Sequence, residues 1–281
     1  MKKIAIYISG RLIRYEVCLL PFLDNIKDYH IDLFISINDN NCEYYDIAKE
    51  KLKKYLRKSY INKYKLPENF NHNPNNFPAY VLIDGKYRPL NQMSLFFNDY
   101  NSFRMIEEYS LENNIKYDII MKYRSDIINN LFPDLNDFNS NILYCAIPCC
   151  VFTSIGIYKV QIVPDQWIWA SPKIMKIYSN TYNYVMNKLD ELDGNYYIGG
   201  EDCITDNCYS NKLQIQYVNI PYKLDYYRQM YDINTDLYAN NNGNGVYKIS
   251  KNINLYNELS NLNLISLTPQ LCMNLQARPN D

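Results

Sequence analysis

The sequence predicts an α/β fold, an α/β/α sandwich around a mostly parallel central sheet. Three observations predict it. The chain opens strand–helix–strand–helix, the order of a parallel sheet with right-handed crossovers. The apolar run Ile119-Ile120-Met121, too short for a helix of its own, follows a long helical segment and reads as a buried strand. Gly, Arg and Asp sit where these strands end, and open sheets of this kind bind ligands beyond the carboxyl ends of their strands.

Taken in order, residues 3–9 form the first strand and Gly10 ends it, with a helix rich in Leu and Ile following to about residue 27. Residues 31–37 are the second strand and residues 38–41 a turn. Residues 42–58 read as a helix whose solvated face carries Lys51, Lys53, Lys54, Arg57 and Lys58 beside Ile47, Leu52 and Tyr55. Residues 60–90 lack periodicity and hold Pro67, Pro74, Pro78 and Pro89, which predicts a long loop with a short hairpin around Asp84-Gly85. A helix over 91–113 then leads into the strand that begins at Tyr117. A strand at 141–146 follows, then two short strands within 151–163. Ser171 is set as N-cap and Pro172 as first residue of a helix reaching about residue 192. Residues 199–202 open another helix, to about 211, and residues 213–218 are a late strand. Residues 1–220 are expected to form one domain and 221–281 a C-terminal extension packed on it.

Composition narrows the function. The chain has 281 residues, 47% of them hydrophobic, which suffices for one large α/β domain. A formal net charge of -1 carries no electrostatic footprint for nucleic acid. No apolar run approaches the roughly 20 residues needed to cross a bilayer. The opening Lys2-Lys3 and its apolar stretch mimic a secretory signal only weakly, because Arg11 and Arg14 follow at once. Eight cysteines are scattered without paired CxxC spacing, so reduced thiols in a cytoplasmic protein are expected and zinc is not. The only histidines, His30 and His72, lie in none of the loops where such a sheet does chemistry, which argues against a His-based nucleophilic triad. Neither GxxxxGK[ST] nor GxGxxG occurs.

Four segments fall where the loops of such a sheet do chemistry. Ser9-Gly10-Arg11, with Arg14 beyond it, gives a ligand close access to the backbone and offers cations for a phosphate or a base. Arg124-Ser125-Asp126 delivers a carboxylate able to hold a hard cation. Its Arg either neutralises charge nearby or fixes Asp126 through two hydrogen bonds. Asp165-Gln166-Trp167 and Trp169 combine a carboxylate, an amide and aromatic faces, a set suited to a sugar ring, though a packed core strand reads the same way. Gly199-Gly200-Glu201-Asp202 places two carboxylates at a helix start, either as dipole-favoured residues or as a catalytic base and hydroxyl ligand.

In these segments the chain resembles the GT-A-fold glycosyltransferases of polysaccharide and lipopolysaccharide synthesis and of large DNA viruses. The resemblance covers residues 1–220 and rests on the order of short motifs: Ile4 to Arg14, Ile31 to Ile35, the helix from Gln92 into Tyr117 to Asp126, Asp165-Gln166-Trp167, and Gly200-Glu201-Asp202. It implies transfer of a sugar from a nucleotide-diphospho-sugar to an acceptor hydroxyl. Ser9, Gly10, Arg11, Arg14, Gln92, Arg124 and Asp126 would hold the donor. Asp126 would bind Mn²⁺ or Mg²⁺, Gln166, Trp167 and Trp169 the acceptor, and Asp165, Glu201 or Asp202 would act in catalysis. The sequence departs from the pattern: a full Asp-x-Asp is absent and no His follows His72. A non-catalytic carbohydrate-binding protein on a degenerate transferase fold, or a sugar-nucleotide nucleotidyltransferase, are the alternatives.

Overall fold

The structure is a computed structural model that describes residues 1–38, 45–68, 70–71, 89–128, 132–146, 149–150, 161–196, 198–218, 220, 223–224, 237–239 and 246–248. Strand β1 is Lys3–Gly10, followed by α1 Leu19–Asn25, β2 His30–Asn38, α2 Tyr45–Leu52, β3 Leu56–Asn62, α3 Pro89–Glu112 and β4 Ile119–Tyr123. After these come β5 Ile127–Ile128, β6 Ile142–Ala146, β7 Cys149–Cys150, β8 Gln161–Ile162 and β9 Trp167–Ala170. Helices α4 Pro172–Ser179, α5 Thr181–Glu191 and α6 Gly200–Ser210 lead to β10 Gln214–Val218. Three short strands, β11 Lys223–Leu224, β12 Leu237–Ala239 and β13 Val246–Lys248, complete the described elements.

Seven strands form the central sheet in the order β3-β2-β1-β4-β9-β6-β10. All pairings are parallel except those of β9, which runs antiparallel to both β4 and β6. The expected α/β/α sandwich is therefore present.

Period-two alternation explains how both faces are covered. Along β1, Ile4, Ile6 and Ile8 face one core with Leu19, Phe22 and Leu23 of α1 and Ala48 and Leu52 of α2. Ala5 and Tyr7 face the other, with Met93, Phe96, Phe103 and Ile106 of α3 and Met175, Val185 and Cys203 from α4 to α6. Each of these side chains is at most 4% exposed. Burying one apolar side chain of this size contributes about 1.5–3 kcal/mol, so both layers are needed to hold one sheet. Cys18, Cys145, Cys203 and Cys208 are buried and in no disulfide.

Several boundaries differ from expectation. The helix after Gly10 begins only at Leu19, because Arg14 adopts φ 56 and residues 15–18 turn before it. Residues 42–58 are not one helix: α2 ends at Leu52, and Leu56–Asn62 is the edge strand, paired parallel to β2. Tertiary pairing overrides the helical pattern there; Arg57 of the supposed helix face reaches Asp32, and Lys58 reaches Glu112 at 2.7 Å. The helix from Pro172 breaks at Asn180 into α4 and α5. Ser171 stands at its N-cap, yet its hydroxyl donates to the Ser140 carbonyl at 2.6 Å rather than into the helix. The hairpin at Asp84-Gly85 and nearly all of the C-terminal extension lie outside the described residues.

Candidate active site

β1, β2, β3, β4 and β6 end on one edge of the sheet. Because β9 is antiparallel, it begins on that edge: Tyr123 pairs with Trp167, so Asp165 and Gln166 stand beside the exit of β4. Helix α6 returns from the same edge, since β10, which follows it, starts level with Ile142 at the amino end of β6. The Val163 N–H donates to Thr205 Oγ1 at 2.9 Å, tying the approach to β9 onto α6. α3 likewise begins there. A methyl group on Gly200 would lie 2.7 Å from Gln92 Oε1, so the glycine lets the two helix starts approach.

Ser125 joins two of the predicted segments. Its hydroxyl accepts from the Ile13 N–H at 3.1 Å and donates to the Ile13 carbonyl at 2.8 Å, with the Arg11 carbonyl 3.1 Å away. Because Ser125 is buried, the loop carrying Arg11 and Arg14 is clamped onto the exit of β4. Gly10 turns the chain into that loop with φ 91, a conformation that disfavours L side chains, although no atom stands within 4 Å of where a Cβ would be.

Arg124 and Asp126 form a two-pronged pair, Nε to Oδ1 at 2.9 Å and Nη2 to Oδ2 at 2.7 Å. Of the two roles open to Arg124, the structure therefore shows the bidentate one. Asp126 is 3% exposed at its side chain and Arg124 30%, so the guanidinium is the member that meets solvent. No group of three His, Cys, Asp or Glu able to hold a metal occurs among the described residues. Both Asp126 oxygens accept from Arg124, so a Mn²⁺ or Mg²⁺ ion at this carboxylate would take most of its ligands from outside the protein.

The Trp expectation is corrected. Trp167 and Trp169 are 0% and 2% exposed. β9 lies inside the sheet, and its rings pack into the α1-side core: Trp167 edge-on to Tyr123 at 5.1 Å, Trp169 stacked on Tyr144 at 5.7 Å. Neither offers a face to a sugar. Gln166 is also buried, while Asp165, Glu201 and Asp202 are partly exposed.

Sequence reasoning missed the groups beneath the edge. Lys122 Nζ donates to Asp99 Oδ2 at 2.6 Å, and the Ser9 hydroxyl donates to Asp99 Oδ1. Both side chains are at most 3% exposed. Burial is the first cause that raises the Asp99 pKa, and Lys122 opposes it. Asp165 is close enough to raise it further. The same burial lifts the Tyr7 and Tyr178 hydroxyls well above their usual value. A signal existed: Lys122 interrupts an apolar strand, and Asp99 lies on the apolar stripe of α3, three residues after Phe96 and four before Phe103. Beside this pair an amide network ties β2 and β3 to α3. Asn62 Nδ2 donates to Ser36 at 2.6 Å, Asn98 Nδ2 to Asn38 at 2.7 Å, and Ser94 Oγ to Asn38 at 2.9 Å.

No protein-family model matches the sequence, and no curated protein is similar to it. Among solved structures, the chain is similar to glycosyltransferase GlyE of Streptococcus pneumoniae, in its apo form at 13% identity with a TM-score of 0.38, covering 77% of this chain and 45% of that one. A second GlyE structure gives 14% identity and a TM-score of 0.39 over 78% and 46%. The 4-diphosphocytidyl-2C-methyl-D-erythritol synthase of Anaerococcus prevotii gives 8% and 0.41 over 78% and 87%. The chain thus spans less than half the length of the GlyE chains. The fold itself is an α/β/α sandwich around a seven-stranded, mostly parallel sheet, with the one antiparallel strand, β9, inside it. Among the described residues no helix is long and apolar enough to cross a membrane.

Proposed function

We propose that the chain is a glycosyltransferase that moves a sugar from a nucleotide-diphospho-sugar to an acceptor hydroxyl of a glycan, lipid or protein. The observation that supports it is the Ser125 clamp, which brings the Gly10–Arg14 loop and the Arg124–Asp126 pair together on the carboxyl edge. That edge is where an open α/β sheet receives a nucleotide.

In this reading Arg124, held in plane by Asp126, meets the diphosphate and stabilises the charge that develops on it as the sugar departs. Gly10 lets the donor approach the backbone, and Arg11 and Arg14 lie along its path. Gln92, set against Gly200, borders the donor's sugar end. Asp165, Glu201 and Asp202 are the carboxylates on the acceptor side, and one of them takes the hydroxyl proton if the reaction inverts configuration. A divalent cation would supply further charge stabilisation on the diphosphate, and here it would take most of its ligands from phosphate and water.

A thermal-shift screen of UDP-, GDP- and dTDP-sugars, with and without manganese, tests the proposal. One donor raising the melting temperature of the wild type, and failing with Asp126→Ala and Arg124→Ala of unchanged circular dichroism, is expected. Equal shifts in both variants would sink the site; a shift that needs manganese would add a cation to it.

A further inference from the structure

A second concave surface lies outside the candidate active site, between edge strand β3, helix α3 and helix α5. It encloses about 610 Å³, within the range of sites for small ligands. Its floor is aromatic. Tyr64 and Phe97 are 4.8 Å apart at their ring centroids, and Tyr182 closes on Phe97 at 5.3 Å and on Tyr64 at 6.0 Å. Tyr60 stands at the mouth, 55% exposed. The rim is cationic: Lys63, Lys65 and Arg104 against one carboxylate, Glu108, which sits 3.5 Å from Arg104. For a chain of net charge -1 this is a local excess of positive charge.

The polar part of the lining is fixed from below. Asn101 Nδ2 donates to Asn62 Oδ1 at 3.1 Å, and Asn62 is 1% exposed. Asn62 in turn is held by Ser36 and by Asn98. Asn101, the amide that reaches the groove, therefore cannot rotate freely, which lowers the ordering cost of a ligand that meets it.

We propose that this groove binds an anionic oligosaccharide, with a pyranose ring over the aromatic floor and Tyr60, and carboxylate or sulfate groups on Lys63, Lys65 and Arg104. Rings offer flat apolar faces to the C–H side of a sugar, the Asn101 amide meets its hydroxyls, and the cations select for charge. Nucleic acid is the poorer fit, because three cations do not make the extended basic track that a phosphate backbone needs. Only the view that the bound glycan is a remote part of the acceptor rests on the transferase reading; the binding itself does not.

Titration of the full chain with tetragalacturonate, maltotetraose and tetraglutamate, followed by calorimetry and by NMR saturation transfer, decides it. Saturable binding of tetragalacturonate is expected, at least tenfold tighter than the neutral sugar and the acidic peptide. Lys63→Ala with Lys65→Ala, Arg104→Gln, and Tyr60→Ala should each weaken it at least fivefold. These positions are at the surface, so the variants should keep the wild-type melting temperature. Binding of tetraglutamate as tight as that of tetragalacturonate, unchanged affinity in the variants, or no saturable binding would each overturn the proposal. The donor screen run on the same variants reads the transferase proposal separately, because none of these residues belongs to the candidate active site.

Discussion

Two carboxylates are buried on the same face of the sheet, and they are built from the same parts. Asp32, at the amino end of β2, is held by Arg57 and by the Tyr117 hydroxyl at 2.7 Å. Asp99, under the carboxyl edge, is held by Lys122 and by the Ser9 hydroxyl. The difference is the cation. Arg57 is 28% exposed and vents its charge to water, whereas Lys122 is 2% exposed. Desolvating both charges consumes most of what a sealed pair gains, so such a pair is weak evidence for stability. Its position suggests another role: Asp99 ties Ser9, at the carboxyl end of β1, to Lys122 of β4, the two strands whose exits carry Gly10 and Arg124.

The largest expected effect separates the two pairs. Lys122→Met should cost about 3–5 kcal/mol in urea denaturation, because it strands a buried charge. Adding Asp99→Leu should recover most of that loss; a double variant as unstable as the single one would refute the sealed-pair account. Arg57→Met should cost less, about 1–3 kcal/mol, because Asp32 keeps its tyrosine and water can reach the vacated side. Equal losses at both sites would erase the contrast.

A pH series sharpens it. Burial pushes the Cys208 thiol up to about 12 and raises those of Cys145 and Cys203. Above about pH 9 the unfolded chain releases these protons and the folded chain keeps them. Stability should be complete below that pH and fall as pH rises towards 12, by up to about 1.4 kcal/mol per unit for each thiol. A melting temperature that is flat from pH 8.5 to 10.5 would contradict it. The smallest change in stability, under about 1 kcal/mol, is expected for Arg124→Lys, whose head group is partly solvated. Donor-induced shifts should nonetheless be lost in that variant, since Lys cannot copy the two-pronged geometry.

Strands β1, β2, β4 and β6 were legible because buried parallel strands read as apolar runs, and α3 because its stripe repeats cleanly; β9 entered only as an alternative reading of the Trp segment. Strand β3 was not: Leu56-Arg57-Lys58-Ser59-Tyr60 alternates weakly, and only pairing to β2 makes it a strand. The motifs at Gly10, Arg124-Asp126 and Asp165 were placed on one edge by topology alone. The Trp residues misled because sugar-stacking and core packing draw on the same side chain. Asp99 and Lys122 escaped because their partnership spans two elements, although each stands out as a charge on an apolar stripe.

The antiparallel strand also dictates an order of events as the chain is made. β4 and β6 are 19 residues apart, Tyr123 to Ile142, yet they are not neighbours; β9 lies between them. Until residue 170 has emerged, β3-β2-β1-β4 and β6 are separate pieces, with the apolar inner edge of β4 unpaired. A nascent chain of that length is therefore the species most exposed to edge-to-edge association, and the insertion of Trp167–Ala170 is the step that closes it.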